Sequence, residues 1–136
     1  MAWLLMLVLV LDLNSVKAEL NLERRSELAL ANANKAIDTA REAYEANDAT
    51  KMQAALEEIA DSVNLSYQSL IDTGKDARRN PKFFKRAELK TGELIRRLNG
   101  LRLAVDVESR ASLDKVRDRV SDVHDSLLKS IMSKKK

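Results

Sequence analysis

Cysteine is absent from this chain, proline occurs once and glycine three times, and aromatic residues make up only 4% of it. Each shortage excludes something. Without cysteine there are no disulfide staples and no thiolate-ligated zinc. With so little proline and glycine the chain is neither collagen-like nor a flexible linker. A phosphate-cradling glycine loop, a Gly-x-Ser-x-Gly nucleophile elbow and a His-Glu-x-x-His zinc motif are all missing. What remains is 136 residues, 45% apolar and 33% charged, rich in Ala, Leu, Glu, Lys and Arg. That composition fits one all-helical domain rather than a disordered chain.

Ala2–Leu11 is an unbroken apolar run of ten residues containing the only tryptophan, Trp3. As a helix it spans roughly 15 Å, half of a hydrocarbon core about 30 Å thick, so it is too short to cross a membrane. It has the length of the apolar region of a secretory signal, and Val16-Lys17-Ala18 places small residues where a signal peptidase reads them. The expectation is a signal peptide over residues 1–18, cleaved between Ala18 and Glu19, and a mature chain of residues 19–136 in the periplasm or outside the cell. No transmembrane segment is expected in that mature chain. No Lys or Arg precedes the apolar run, which departs from the usual basic start of a signal. The competing reading is an apolar N-terminal helix packed in the core. Such a helix would show polar interruptions every third or fourth residue.

Four helices follow from periodicity and punctuation. Leu30, Ala33, Ile37, Ala40 and Tyr44 recur three and four apart in a first helix from about Leu22 to Ala46. Asp48 is placed to cap a second helix carrying Met52, Leu56, Ile59, Val63, Tyr67 and Leu70, which Gly74 ends. Asn80-Pro81 restarts the chain, with Asn as cap and Pro at the first helical position. The third helix then carries Phe84, Ala87, Thr91, Leu94, Leu98, Leu101 and Val105, a heptad seam interrupted by Gly92 and Gly100. Those glycines leave open whether the helix continues past Gly100. Asp106 can cap a last helix showing Leu113, Val116, Val120, Val123 and Leu127. The predicted fold is all-α, an up-down-up-down four-helix bundle of two hairpins, with Tyr44, Tyr67, Phe83 and Phe84 spaced along its core. Lys134–Lys136 form a short basic tail.

Residues 56–71 and 113–128 share five identities in sixteen at an offset of 57, among them Asp61 with Asp118 and Ser69 with Ser126. Duplication of a hairpin, 22–73 and 81–132, is one reading. The other is that any two heptad-patterned helices share Leu and Val by register.

Charge is distributed unevenly. Residues 19–72 carry five cations and eleven carboxylates, residues 73–105 ten and three, and residues 106–136 eight and six. The basic block supplies the candidate site residues Lys75, Arg78, Arg79, Lys82, Lys85, Arg86, Lys90 and Arg97. Lys82, Arg86, Lys90 and Arg97 fall four or seven apart and should line one outward stripe. One reading is a surface for an anionic partner, whether lipid headgroups, polysaccharide or an acidic protein, with Phe83 and Phe84 assisting at an interface. Nucleic acid is not expected, because no motif of fixed spacing is present. The opposing reading is that a basic third helix pairs with acidic first and second helices and so sets the topology.

Catalytic candidates are scarce. His124 is the only histidine, and its sequence neighbour Asp125 points elsewhere on a helix. Glu57-Glu58 diverge around their helix, and Asp118, Asp122 and Asp125 lie on a polar face. The layout is similar to exported four-helix cytochromes of the b type, with His124 in the last helix. That resemblance implies an axial Met or His in the first helix, and none exists there, since Met52 is in the second helix and Met132 near the tail. No catalytic residue, metal site or cofactor is therefore expected. The expected function is non-catalytic binding by an exported bundle that contacts a protein partner, with a polyanion or envelope-surface binder through residues 75–97 as the alternative.

Overall fold

A computed structural model describes residues 13–133. The apolar run Ala2–Leu11 and the tail Lys134–Lys136 lie outside the described residues. The chain is all-helical there, and it builds a helical bundle from α1 (Leu13–Lys17), α2 (Leu22–Glu45), α3 (Ala49–Asp72), α4 (Pro81–Ala104) and α5 (Val107–Met132). None of these helices is long and apolar enough to cross a membrane.

Local chemistry sets the boundaries. Asn21 Oδ1 accepts from the Arg24 amide at 2.9 Å, Asp48 Oδ1 from Lys51 at 3.0 Å and Asp106 Oδ1 from Ser109 at 2.9 Å. Each satisfies one of the amides that a helix start leaves without a partner. Asn80 holds the N-cap position of α4, with Pro81 next, but its side chain makes no cap hydrogen bond. Between α2 and α3, Asn47 takes the left-handed conformation at φ 57° while the Asp48 amide donates back to Ala43 O at 2.8 Å. Asn tolerates that conformation better than most residues. Gly74, at φ 70°, follows the end of α3 in the same conformation. Helix α4 runs through both internal glycines. A side chain at Gly100 would meet nothing within 4 Å, so its glycine is not required by close packing.

The two hairpins α2–α3 and α4–α5 are antiparallel, as the cross-helix pairs Ser26–Ser66 and Asn32–Ser62, and Glu88–His124 and Arg102–Asp114, demand. They join sideways, α2 against α4 and α3 against α5, while α3 and α4 touch only slightly. The 73–80 link leads across the bundle rather than to a close neighbour. The links 46–48 and 105–106 are too short to do that, so they join adjacent helices.

The core follows the heptad stripes. Every seam residue of α4 and α5 named above is buried, from Phe84 to Val105 and from Leu113 to Leu127. Tyr44, Tyr67 and Phe83 are only partly buried and pack against the core's edge. In α2 and α3 the buried face is broader. It adds Ser26, Ala29, Asn32, Ala36 and Ala43 on α2, and Ala55, Ser62, Ser66 and Ser69 on α3. Small side chains let these two backbones lie close over more of their length than α4 and α5 do.

The burial pattern also gives the hairpins a common register. Leu113, Val116, Val120, Val123 and Leu127 correspond at an offset of 57 to Leu56, Ile59, Val63, Ser66 and Leu70, all buried. The first helices correspond at 58 instead, which pairs Phe84 with Ser26, Leu94 with Ala36 and Leu98 with Ala40. The register slips by one because the α4–α5 link is one residue shorter than the α2–α3 link.

Helix α1 packs back on α2 and α3 with Val16 buried. It covers a small apolar cavity of about 140 Å³ bordered by Leu28 and Ala31. Glu19 then clips the start of α2, its side chain accepting from Arg24 Nε at 3.1 Å and its carbonyl from Arg25 Nε at 2.9 Å.

Candidate functional site: the basic block of α4

The candidate cations divide into two groups once their surroundings are known. Arg86 Nη1 lies 2.8 Å from Glu27 Oε2, and Lys75 Nζ 3.0 Å from Glu23 Oε2, so both reach α2. Arg97 makes the most elaborate contact. One nitrogen spans Asn34 O and Asn34 Oδ1 at 2.8 and 2.6 Å, and the other lies 2.5 Å from Asp38 Oδ1. Lys90 pairs with Glu93 on its own helix at 3.6 Å, and both border a cavity of about 220 Å³ between α2 and α4. Arg86 and Arg97 thus reach across to α2, while Lys90 stays on its own helix; the Arg86 and Lys90 side chains are about half exposed or more, so the stripe borders α2 without being buried by it.

The second group lies at one end of the bundle. Here α2 and α4 begin, α3 and α5 finish, and the 73–80 link crosses. Arg78 pairs with Asp76 in that link at 3.8 Å. Lys82 Nζ and Arg86 Cζ lie 5.4 and 5.3 Å from the centroid of the Phe83 ring, close enough for cation–π attraction. Among the described residues Arg79, Lys82 and Lys85 have no carboxylate partner, nor does Lys129 at the end of α5. Four carboxylates of this end are paired with cations, Glu19 with Arg24, Glu23 with Lys75, Glu27 with Arg86 and Asp76 with Arg78, while Asp72 accepts from the neutral Gln68 amide and keeps its charge. The positive charge left over is thus concentrated on the first turns of α4 and the end of α5.

No protein-family model, curated protein or solved structure matches the chain.

His124 is better partnered than its sequence context suggests. Its Nε2 shares a hydrogen bond of 2.8 Å with Glu88 Oε2 across the α4–α5 seam, and its Nδ1 lies 3.6 Å from Asp125 Oδ1. Asp125, expected to point away, approaches the ring to 3.6 Å while staying largely exposed. Glu88 was not legible as a partner, since the α4–α5 register fixes which carboxylate faces the ring. No nucleophile accompanies the trio. Among the described residues no three His, Cys, Asp or Glu side chains converge as a metal site.

At the opposite end, Arg102 Nε lies 2.6 Å from Asp114 Oδ1, and Arg117 adds a contact at 3.4 Å. The Arg102 hydrogen bond leads in holding the Asp114 carboxyl below the usual carboxylate range. Asp106 is lowered too, chiefly by its hydrogen bond from the Ser109 backbone. The Asp106 amide donates to Tyr44 Oη at 2.9 Å, tying the α4–α5 link to α2. Beside it lies a cavity of about 340 Å³ with Tyr44, Met52 and Leu56 in its wall.

Proposed function

We propose that this chain is an exported, non-catalytic helical-bundle protein that works by binding an anionic partner through the basic end of the bundle. The observation that carries this reading is the charge balance there. Four of the carboxylates at that end are already paired with cations, while Arg79, Lys82 and Lys85 have no carboxylate partner among the described residues. Exposed cations with no internal partner create a field that attracts negative charge. Arg86 and Arg97 are assigned instead to the α2–α4 seam.

The folded unit in this proposal is the four-helix, up-down-up-down set α2–α5, arising from a duplicated hairpin. Residues 1–18 are its leader, removed between Ala18 and Glu19 and leaving the mature chain in the periplasm or outside the cell. One feature supports the leader: the Ala18–Glu19 bond lies in a non-helical link with Ala18 exposed.

A protein partner is the second reading. Leu103 and Val107, each 76% exposed, flank the α4–α5 turn, and apolar side chains held in water at one place favour a contact with another protein.

The test is retention on an immobilised polyanion across a salt gradient. Arg79→Ala/Lys82→Ala/Lys85→Ala is expected to lose salt-steep retention. Arg86→Ala/Lys90→Ala/Arg97→Ala is expected to lose thermal stability but to keep more of the retention. Equal retention of the first variant and the parent would remove the proposal and leave the protein-partner reading, to be pursued by cross-linking.

A further inference from the structure

The basic end carries more than charge. Leu20, Ile71, Leu128 and Met132 are all exposed there, Leu20 at 88% and Met132 at 69%. They come from the link just before α2, the end of α3 and the last two turns of α5, so only the bundle brings them together. Most of the large apolar side chains exposed among the described residues are at this end. The same end carries Arg79, Lys82, Lys85 and Lys129, which have no carboxylate partner among the described residues. An open cavity of about 340 Å³ with Ile71, Phe84 and Ser133 in its wall indents the same end. The sequence continues from Ser133 into three further lysines.

We infer that this end seats on the surface of an anionic phospholipid bilayer. The inference rests on the anionic-partner reading above and names the partner. A soluble polyanion would satisfy the cations but leave the four aliphatic side chains in water. A bilayer interface takes both, with ammonium and guanidinium groups at the phosphate level and aliphatic side chains in the headgroup–acyl boundary. Phe83 argues in the same direction. Lys82 and Arg86 of the chain itself sit against its ring, so it is not an open platform for stacking a nucleic-acid base.

The experiment is flotation of the full chain with phosphatidylcholine vesicles, with and without phosphatidylglycerol, beside retention on soluble dextran sulfate. The apolar run of residues 2–11 is common to every variant, and its contribution is read from the neutral vesicles. The parent should partition more strongly onto the anionic vesicles. Each cation near such a surface is worth about fivefold in partition, so Arg79→Ala/Lys82→Ala/Lys85→Ala should lose on the order of a hundredfold. Arg41→Ala/Lys51→Ala/Lys115→Ala removes as much charge elsewhere and should lose far less. Leu20→Ser/Met132→Ser should weaken anionic-vesicle binding on the order of tenfold and leave dextran sulfate retention unchanged. Equal partition onto neutral and anionic vesicles would overturn the inference, as would an equal loss in the two triple variants or no effect of Leu20→Ser/Met132→Ser. Retention on dextran sulfate without vesicle binding would sink the lipid assignment alone. Failure on both would sink the anionic-partner reading as well.

Discussion

Arg97 on α4 lies 2.5 Å from Asp38 on α2, while its second nitrogen holds both the backbone carbonyl and the side chain of Asn34. A guanidinium bound to three oxygens of a neighbouring helix is a structural clamp, not a free cation. Arg97→Ala should cost about 1 kcal/mol, since hydrogen bonds to charged groups contribute more than an isolated surface ion pair. That corresponds to a fall of roughly 3–5 °C in Tm. Lys85→Ala, with no partner to lose, should stay within about 0.5 kcal/mol of the parent. Thermal unfolding followed by circular dichroism checks both.

Leu98 is fully buried between the helices of the bundle. Leu98→Ala should destabilise by about 2–5 kcal/mol, through lost burial and the cavity left behind. On the tighter side of the core, Ala40→Leu should cost about 1–3 kcal/mol by overpacking, because Ala40 has no exposed surface into which a larger side chain could turn. A Tm change below 2 °C in either variant would contradict the packing described.

Ser26 and Ser66 share a buried hydrogen bond of 2.7 Å between α2 and α3. Removing one hydroxyl strands the other, so Ser26→Ala and Ser66→Ala should each cost about 1–3 kcal/mol. The double variant should recover much of that loss, because no orphaned hydroxyl remains. Urea denaturation of the four proteins in the cycle measures the coupling. Additive losses would mean the two hydroxyls do not depend on each other.

Acid should loosen the α4–α5 turn first. The carboxyls of Asp106 and Asp114 are both held below their ordinary range. A lowered folded value means that the unfolded chain takes up protons at a higher pH than the folded one. The stability these groups contribute is therefore complete above about pH 4 and disappears as pH falls through the folded values. Asp114→Asn should lower Tm at neutral pH and flatten the acid side of the Tm–pH curve. An unchanged acid limb would exclude the Arg102–Asp114 pair as its source.

If residues 1–18 are a leader, the protein recovered after secretion should begin at Glu19, as N-terminal sequencing would show. A chain lacking residues 2–18 should remain soluble and helical. Aggregation of that chain, or recovery of an uncleaved N-terminus, would return the apolar run to the core.

The sequence by itself determined the helices. Stripes at three- and four-residue spacing need only local geometry to put Phe84 to Val105, and Leu113 to Leu127, on single faces, and those faces are buried. Caps are local as well, which is why Asp48 and Asp106 could be placed from their neighbours, although Asn80 took the position without making the bond. Tertiary structure decided what depends on how helices meet. The small and polar stripe of Asn32, Ser62 and Ser66 is buried because α2 and α3 approach closely, and no single-helix periodicity shows how near a neighbour will come. The basic block divided in the same way. Arg86 and Arg97 became seam residues because α4 lies beside α2, while Arg79, Lys82 and Lys85 were left at an end where four carboxylates were already paired with other cations. Leu20, Ile71 and Met132 join them there although they are far apart along the chain, since helix direction and packing, not sequence distance, set which ends meet.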